Sequence, residues 1–394
     1  MTDIAAHPAI AASRYAERLE AATRLIEDQG LGALLVGVGP DLRYLTGYVA
    51  MPLERLTMLV VRAGAPVVLV VPRLEADPAR RSPAVDSGAV EVVTWEETAD
   101  PYELVAAAAR LDGAGQRVHR STTVAVNDTL WSSHLLQLQS ALPATQFERA
   151  SAVTRELRMI KDADEIALLR LAAHAADRVE DQIAAGRLVG RTEADVARET
   201  RERLIAEGHE RADFAIVASG PNAASPHHEA SDRVIQAGEP IVLDIGGFRD
   251  GYASDTTRTL WPTGGDSSRM PEPEFLAAFD VLHRAQATAT AAVRPGVAVE
   301  RIDAMARAII TEAGYGPNFI HRTGHGIGLE VHEEPYLVSG NAEPLQAGMA
   351  FSVEPGIYVE GRWGMRLEDI VVCGSTGPES LNRSALDLRV VDGR

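Results

Sequence analysis

The stretch PIVLDIGGFRDGYASDTTRTLW, residues 240–261, limits the fold more than any other part of this chain. Two runs rich in β-branched and apolar residues flank Asp250 and Gly251, a dipeptide that favours the tight turn of a β-hairpin. If these residues form the turn, the numbers of paired residues sum to 501. Asp244 and Asp255 then become diagonal neighbours on one face of the hairpin.

The same pairing predicts the cross-strand partner of each aspartate. Asp244 should face Thr257, and Asp255 should face Gly246, which would leave open space on that face. Two carboxylates this close in a packed sheet repel each other and lose hydration unless a cation lies between them. The alternative is a polar hairpin face turned toward solvent.

A second acidic pair lies in FSVEPGIYVEGRWGMRLEDIVVC, residues 351–373. Folding this stretch about Gly361 places Glu354 opposite Glu368, and Gly364 is expected to make the connecting loop flexible. Glu368 lies within an otherwise apolar strand pattern, so an ordinary surface loop explains it poorly. The two hairpins are therefore predicted to form two halves of one site.

The stretch HRTGHGIGLEVHEEP, residues 321–335, supplies a histidine between glycines. Gly324, Gly326 and Gly328 allow close backbone approach and unusual φ and ψ angles. His325 is then a candidate metal ligand. With four carboxylates it forms an oxygen-rich set that suits Mn, Fe, Co or Zn, and hardness favours Mn. Four carboxylates exceed the charge of one divalent ion, which indicates two ions.

Composition excludes several classes of partner and compartment. The 394 residues carry a formal charge of −18, so we expect no binding to nucleic acid or to an anionic membrane. Cys373 is the only cysteine, which excludes an internal disulfide and fits a reducing compartment. The sequence shows no secretory signal and no apolar run long enough to span a bilayer, so a cytoplasmic protein is expected.

The pattern along the chain predicts two domains. Strands alternate with helices over the first 150 or so residues, as in an α/β unit. Longer helices then follow, with a helix start at Thr192, before glycine-rich strands and two further helices near 273–293 and 299–313.

The order Asp244, Asp255, His325, Glu354, Glu368, with the motifs quoted above, resembles that of the pita-bread metallopeptidases: methionine aminopeptidase, aminopeptidase P and prolidase. The resemblance covers the whole chain. Residues 1–155 resemble the creatinase/prolidase-like N-terminal α/β domain, and residues 156–394 resemble the α+β pita-bread catalytic domain. The resemblance also implies a homodimer.

The resemblance implies a role for each ligand. Asp244 would chelate one ion through both oxygens, Asp255 and Glu368 would bridge the two ions, and His325 and Glu354 would complete the second. We expect two divalent ions, with Mn favoured and Co, Zn or Fe as alternatives.

Further residues match positions on the substrate side. His227 and His332 would hydrogen-bond the substrate's carbonyl oxygen, and Glu354 would move a proton to the leaving nitrogen. His228 is interpreted as an exposed loop residue. His321 is either a pocket residue or a structural one.

The extra N-terminal domain favours an Xaa-Pro peptidase over a methionine aminopeptidase. The predicted function is an Xaa-Pro dipeptidase, or prolidase, that cleaves before proline in short peptides. Two alternatives stay open: an aminopeptidase P acting on longer peptides, and a non-peptidase of the same fold, either a creatinase-like hydrolase or a metal-dependent lyase.

A dipeptidase must hold the substrate's free carboxylate, preferably with arginine. Some prolidases carry an arginine in the loop before the first metal-binding glutamate, and the matching loop here, PYLVSGNAEPLQAGMAF, has none. Arg55, Arg362 and Arg366 are the candidate substitutes. Arg366 is also predicted to hold a bridging carboxylate by hydrogen bonds.

Overall fold

The computed structural model describes residues 9–109 and 123–394. The chain divides into two compact units, one formed by Ile10–Arg158 and the other mainly by Met159–Arg394. None of the helices in these described ranges has the length and apolar character that a membrane crossing requires.

The first unit is built on one six-stranded sheet with helices connecting the strands. Its strands are β1 (Ala33–Gly37), β2 (Met58–Val61), β3 (Val68–Pro72), β4 (Glu91–Trp95), β5 (Thr123–Val126) and β6 (Gln146–Arg149). Its helices are α1 (Ala12–Asp28), α2 (Pro40–Thr46), α3 (Ala76–Arg80), α4 (Pro83–Asp86), α5 (Pro101–Ala109), α6 (Ser132–Ala141) and α7 (Ser151–Met159), the last of which ends at the boundary between the units. The sheet order is β4-β3-β2-β1-β5-β6. Strand β2 pairs antiparallel with β1 and β3, and the other neighbouring strands pair in parallel. The predicted α/β class of this unit is confirmed.

The second unit combines long helices with three sheets. Its helices are α8 (Ala163–Ala184), α9 (Glu193–Ala206), α10 (Pro273–Ala291) and α11 (Val299–Glu312). Its strands are β7 (Arg211–Ser219), β8 (Ile241–Arg249), β9 (Tyr252–Pro262), β10 (Gly324–Gly326), β11 (Glu333–Leu337), β12 (Ala350–Val353), β13 (Gly356–Val359), β14 (Trp363–Arg366), β15 (Asp369–Cys373), β16 (Pro378–Ser380) and β17 (Arg389–Val391). The sheets run β17-β9-β8-β7, β11-β10-β12-β15-β16 and β13-β14. The predicted α+β class is confirmed.

Two of the helices begin at side chains that cap free backbone N–H groups. Asp162 accepts from the backbone of Glu165, and the Glu165 carboxylate accepts from the backbone of Asp162, which completes a capping box at α8. Thr192 accepts from the backbone N–H of Asp195 at α9. The helix start predicted at Thr192 is therefore confirmed.

Helices cover the sheets to form the apolar core of this unit. Residues of α8 and α9 pack with those of β7, β8 and β9 in one cluster. Residues of α10 and α11 pack with those of β12 to β15 in another. The polar site described below therefore lies among strands that are supported by apolar packing.

The hairpin of β8 and β9 has the predicted register. Asp244 pairs with Thr257, and Gly246 pairs with Asp255. Both turn residues, Asp250 and Gly251, have positive φ, as this type of two-residue turn requires.

The open space predicted beside Asp255 is absent. Phe214 of β7 pairs with Gly246 from the other side, and a Cβ added at Gly246 would lie 2.3 Å from its ring. Gly246 is therefore needed for the close approach of an aromatic ring.

The second acidic hairpin also has the predicted register, but it is interrupted. Residues of β12 and β15, and then of β13 and β14, pair so that residue numbers sum to 722, which places Glu354 opposite Glu368. Both glutamates lie in the gap between the two ladders, where Pro355 cannot donate a backbone bond. An isolated bridge joins Glu368 to Thr257 of the first hairpin.

Gly364 does not lie in a flexible loop, as the sequence suggested. It belongs to β14, and a Cβ there would lie 1.9 Å from the carbonyl oxygen of Ala223. The turn is made instead by Gly361, whose φ is 72°.

Candidate metal centre

The structure brings the five predicted ligands to one cavity of about 620 Å³ in the second unit. His227 and His332, the two histidines expected on the substrate side, line the same cavity together with His321 and Arg366. Its lining includes Asp244, Asp255, His325, Glu354, Glu368, His227, His321, His332 and Arg366.

The side-chain ligand atoms form three overlapping groups, and within each group the atoms lie within 4.8 Å of one another. The groups are Asp244, Asp255 and Glu368; His325, Glu354 and Glu368; and Asp255, His325 and His332. Asp244, Asp255, His325 and Glu368 are all at most 6% exposed. Sequence reasoning therefore located the cluster but did not anticipate that His332 would lie directly against it.

His325 lies on β10, which is the strand between β11 and β12. A Cβ at Gly324 would lie 1.9 Å from the carbonyl oxygen of Ser352, and one at Gly326 would lie 2.2 Å from that of Glu334. Neither glycine has a positive φ. The expectation of close backbone approach is confirmed, whereas the expectation of unusual φ angles is wrong.

The hydrogen bonds of His325 direct one ring nitrogen at two carboxylates. Its Nδ1 lies 3.1 Å from the carbonyl oxygen of Gly326, which can only accept, so Nδ1 carries the proton. Its Nε2 lies 3.1 Å from Oε1 of Glu354 and 3.5 Å from Oδ2 of Asp255. When the ring is neutral, the lone pair of Nε2 and those of the two carboxylate oxygens are directed at one point. This arrangement is stable only if a cation or a proton lies between the three atoms.

Two buried carboxylate oxygens in the cluster are left without a hydrogen-bond donor among the described residues. They are Oδ1 of Asp244 and Oε1 of Glu368. Burial is the largest cause that raises the pKa of Asp244, Asp255 and Glu368, and the negative charge of neighbouring carboxylates adds to it, while the positive charge of Arg366 opposes the shift. Unpaired oxygen atoms in a buried acidic cluster are what a divalent ion requires, so the residues present fit such a group.

Glu354 is in a different electrostatic environment from the other three acids. Burial opposes its ionisation. When a proton rather than a cation lies between Nε2 of His325 and the carboxylates, a hydrogen bond from that nitrogen and nearby positive charges outweigh burial and lower the pKa of Glu354 to about 2. Its Oε1 also accepts from the hydroxyl of Ser352, which in turn accepts from the backbone of His325. Sequence reasoning missed Ser352, although strand alternation places it two residues before Glu354 on the same side.

Arg366 donates to four groups in the cavity wall. The prediction that it directly holds a bridging carboxylate was wrong. Its partners are the carboxylate of Asp244, Oγ1 of Thr257 at 3.1 Å, the hydroxyl of Tyr358 at 2.9 Å and the carbonyl oxygen of Pro226 at 3.2 Å. The carboxylate held directly is thus that of Asp244. Glu368 is reached only through the Thr257 hydroxyl, which donates to its Oε2 at 2.6 Å.

His321 and Tyr358 form a hydrogen-bonded chain beside the cluster. Nδ1 of His321 donates to the carbonyl oxygen of Arg322, so its Nε2 accepts from the Tyr358 hydroxyl at 2.9 Å. Burial raises the pKa of Tyr358 to about 12 and lowers that of His321. His321 therefore lines the cavity as a neutral residue whose two nitrogens are both engaged.

His332 is exposed, but its ring centroid lies 3.9 Å from that of His325. Partial burial, followed by the positive charges of His325 and Arg322, lowers the pKa of His332 to about 4. A neutral imidazole at this position can donate one N–H to a bound molecule at neutral pH.

The loop that carries His227 is fastened to a buried carboxylate, Glu193 of α9. This carboxylate accepts hydrogen bonds from the hydroxyl and the main-chain N–H of both Ser219 and Ser231, and it also contacts the side-chain nitrogens of Asn222 and His228. Burial opposes its charge, but these bonds lower the pKa of Glu193 to about 2. His228 is therefore not the exposed loop residue that was predicted, because its Nε2 lies 2.8 Å from Glu193.

Arg55 belongs to the first unit, where Glu97 and Glu54 accept from its guanidinium at 2.7 and 2.9 Å. Arg362 is half-exposed and is paired with Glu274 through both terminal nitrogens. Two of the three predicted substitutes for a substrate-binding arginine thus already have carboxylate partners within the chain.

Comparison with known proteins agrees with this arrangement. Residues 167–375 match the family model described as "Metallopeptidase family M24", and residues 18–160 match "Creatinase/Prolidase N-terminal domain". The chain is 46% identical to the "Probable dipeptidase PepE" of Mycobacterium tuberculosis, over 96% of each chain. It is 35% identical to the "Xaa-Pro dipeptidase" of Lactobacillus helveticus, over 88% of this chain and 92% of that protein.

The fold is also shared with a solved structure. The crystal structure of dipeptidase PepE from Mycobacterium ulcerans superposes with a TM-score of 0.88 at 47% identity, covering 97% of this chain and 99% of that one. The chain belongs to metallopeptidase family M24, with a pita-bread catalytic domain preceded by a creatinase/prolidase-type domain. Membership of this family implies divalent metal ions.

Proposed function

We propose that this protein is a dinuclear-metal Xaa-Pro dipeptidase, which hydrolyses the peptide bond before proline in short peptides. The observation that carries the proposal is the convergence of His325 Nε2 and carboxylate oxygens of Asp255 and Glu354. Beside them lie one oxygen of Asp244 and one of Glu368 to which no described residue donates. Relatives named dipeptidase and Xaa-Pro dipeptidase over nearly the whole chain support the reaction class.

Each ligand has a role in the proposal. Asp244, oriented by Arg366, would hold one ion, Asp255 and Glu368 would be shared by both, and His325 and Glu354 would hold the other. When bound, such ions polarise a carbonyl group and supply an activated water at neutral pH.

The chain's own side chains would bind the substrate and move the proton. His227 and His332 lie on the cavity wall, where an imidazole N–H can donate to the substrate's carbonyl oxygen as negative charge develops. Glu354, ionised at neutral pH, would carry a proton to the leaving nitrogen.

Part of the cavity wall is apolar and suits a proline ring. Phe214, Ile216 and Val331 line the cavity beside the polar cluster. An Xaa-Pro peptide bond has no N–H, so recognition must depend on the ring and on the groups at either side of it.

The proposed reaction is tested by assaying the metal-loaded protein on Ala-Pro, Ala-Pro-Ala and Ala-Ala. We expect cleavage of Ala-Pro and little or none of the other two. Efficient cleavage of Ala-Pro-Ala would instead indicate an aminopeptidase P, and the absence of cleavage of all three would contradict a peptidase.

Manganese is our proposed metal, because the donor set is dominated by carboxylate oxygens. Reconstituting the metal-free protein with Mn²⁺, Co²⁺, Zn²⁺ or Fe²⁺ and comparing rates on Ala-Pro tests this choice. We also propose a homodimer, which light scattering during gel filtration would test.

A further inference from the structure

Among the described residues, two arginines line the metal cavity: Arg322 and Arg366. The donors of Arg366 are directed at Asp244, Thr257, Tyr358 and the carbonyl oxygen of Pro226. Because these bonds form part of the cavity wall, Arg366 has little capacity left for a substrate. Arg322 is therefore the arginine in this cavity wall that remains able to bind a substrate group.

The position of Arg322 follows from the pairing of β10 with β11. His325 pairs with Tyr336, and directly paired residues of antiparallel strands project from the same face. The Tyr336 ring is therefore on the side of the sheet where His325 meets the carboxylates. The guanidinium carbon of Arg322 lies 4.2 Å from the centre of that ring. This stacking holds the guanidinium on the side of the metal cluster.

The charge of Arg322 is not matched by an acid. Within the ranges that the structure describes, no carboxylate forms an ion pair with its guanidinium, whereas Arg55 and Arg362 are each paired. A half-buried, stacked guanidinium with unused donors is a suitable site for a planar anion, since its fork matches the two oxygens of a carboxylate.

We propose that Arg322 binds the free α-carboxylate of the prolyl residue and thereby restricts the enzyme to dipeptides. The inference rests on the proposed function, and it identifies Arg322 as a residue that determines specificity. In a longer peptide this carboxylate is replaced by a neutral amide, so the guanidinium loses its charged partner. Arg322 was not among the arginines predicted for this role, because it lies three residues before His325 and not in the loop before Glu354.

The test compares Ala-Pro with its C-terminal amide, Ala-Pro-NH₂, in the wild type and in Arg322→Met. We expect the wild type to prefer the acid. Arg322→Met should lower kcat/KM for Ala-Pro by about 10- to 100-fold, mainly through KM, the range expected for losing a charged hydrogen-bonded contact. For Ala-Pro-NH₂ the change should stay within about threefold. Arg322→Lys should recover part of the loss, because it keeps the charge without the fork.

The matched control is Arg362→Met, which removes an arginine of the same unit that is paired with Glu274 outside the cavity lining. It should not alter the preference for the acid. Equal losses on both substrates in Arg322→Met, or no loss on either, would overturn the assignment.

Binding separates this inference from the proposed function. Calorimetry should show that the metal-loaded wild type binds proline more tightly than prolinamide and that Arg322→Met abolishes the difference. If the wild type cleaved neither substrate but kept this Arg322-dependent preference, the dipeptidase function would fail and the carboxylate site would stand. If the preference were also absent, both would fail.

Discussion

In the second unit, the negative charge of the buried Glu193 is balanced in a different way from that of the buried acidic cluster formed by Asp244, Asp255 and Glu368. Glu193 accepts hydrogen bonds from several donors on one loop, and the pKa of Glu193 falls to about 2. Asp244, Asp255 and Glu368 are also buried, yet burial and mutual repulsion raise the pKa of each, and two of their oxygens have no donor among the described residues.

The difference indicates what each group is for. A carboxylate surrounded by N–H and O–H groups is stable as an anion without an ion, and here it fixes the loop that carries His227. A cluster of acids that face one another is costly unless a cation is supplied. The fold therefore supplies hydrogen-bond donors to the Glu193 carboxylate, whereas the charge of the acidic cluster is left to be balanced by bound metal.

The largest expected effect comes from removing one carboxylate of the cluster. Asp255→Asn should lower kcat/KM on Ala-Pro by about 10³-fold or more and reduce the metal retained after dialysis, because a shared ligand is lost. Metal analysis and a steady-state assay measure both. Asp250→Asn, at the turn of the same hairpin, is the matched control and should retain metal and activity. Wild-type metal content in Asp255→Asn would argue against the assignment of Asp255.

The next largest effect concerns the free energy of unfolding of the metal-free protein, which should respond differently to changes at Glu193 and in the acidic cluster. Glu193→Gln should lower the free energy of unfolding at pH 7 by roughly 2–4 kcal/mol, because several buried donors lose a charged acceptor. In EDTA, Asp255→Asn should be at least as stable as the wild type, because it relieves repulsion between buried charges. Urea unfolding measures both, and destabilisation of similar size in the two variants would remove the distinction.

The effect of Glu193→Gln should also depend on pH. The pKa of Glu193 is lower in the folded state, so its charge stabilises the fold above the unfolded value near 4.5, and this stabilisation is lost as pH falls toward about 2. The stability difference between wild type and Glu193→Gln should therefore shrink between about pH 4.5 and pH 2. A constant difference over this range would show that the carboxylate charge is not what matters.

Much of this arrangement was predictable because it depends on local pairing. The register of the β8–β9 hairpin follows from Asp250 and Gly251, and the opposition of Glu354 and Glu368 follows from the position of Gly361. Hydrophobic alternation and a two-residue turn are enough to determine such contacts.

The contacts that were missed join segments far apart in the chain. Arg366 bonds to Asp244 across 122 residues, and Glu193 bonds to Ser231 across 38. Arginine and serine are ordinary in strands and loops, so their residue type gives no signal until the fold brings a buried carboxylate to them. The partner of Arg366 was mispredicted for this reason, and the helix start predicted at Thr192 gives no sign that the next residue, Glu193, anchors a distant loop.

A moderate effect is expected from the arginine that orients Asp244. Arg366→Met should weaken metal binding by about 10- to 100-fold, the usual cost of losing a group that orients a ligand. Titration of the metal-free variant with Mn²⁺ measures this affinity. Retention of wild-type affinity would show that Asp244 is held without Arg366.

The smallest effect should come from Ser352→Ala, which removes one donor from Glu354 and leaves the bond between Glu354 and His325 in place. We expect a decrease of about fivefold in kcat on Ala-Pro, corresponding to roughly 1 kcal/mol. A loss of activity as large as that of Asp255→Asn would mean that the position of Glu354 depends more on Ser352 than on the contact with His325.

The most direct test of the central claim is anomalous diffraction from crystals of the Mn²⁺-loaded protein. The account predicts two anomalous peaks about 3.5–4 Å apart, contacted by Asp244, Asp255, His325, Glu354 and Glu368. A map with no peak among these five side chains, or with the bound manganese elsewhere in the chain, would contradict it.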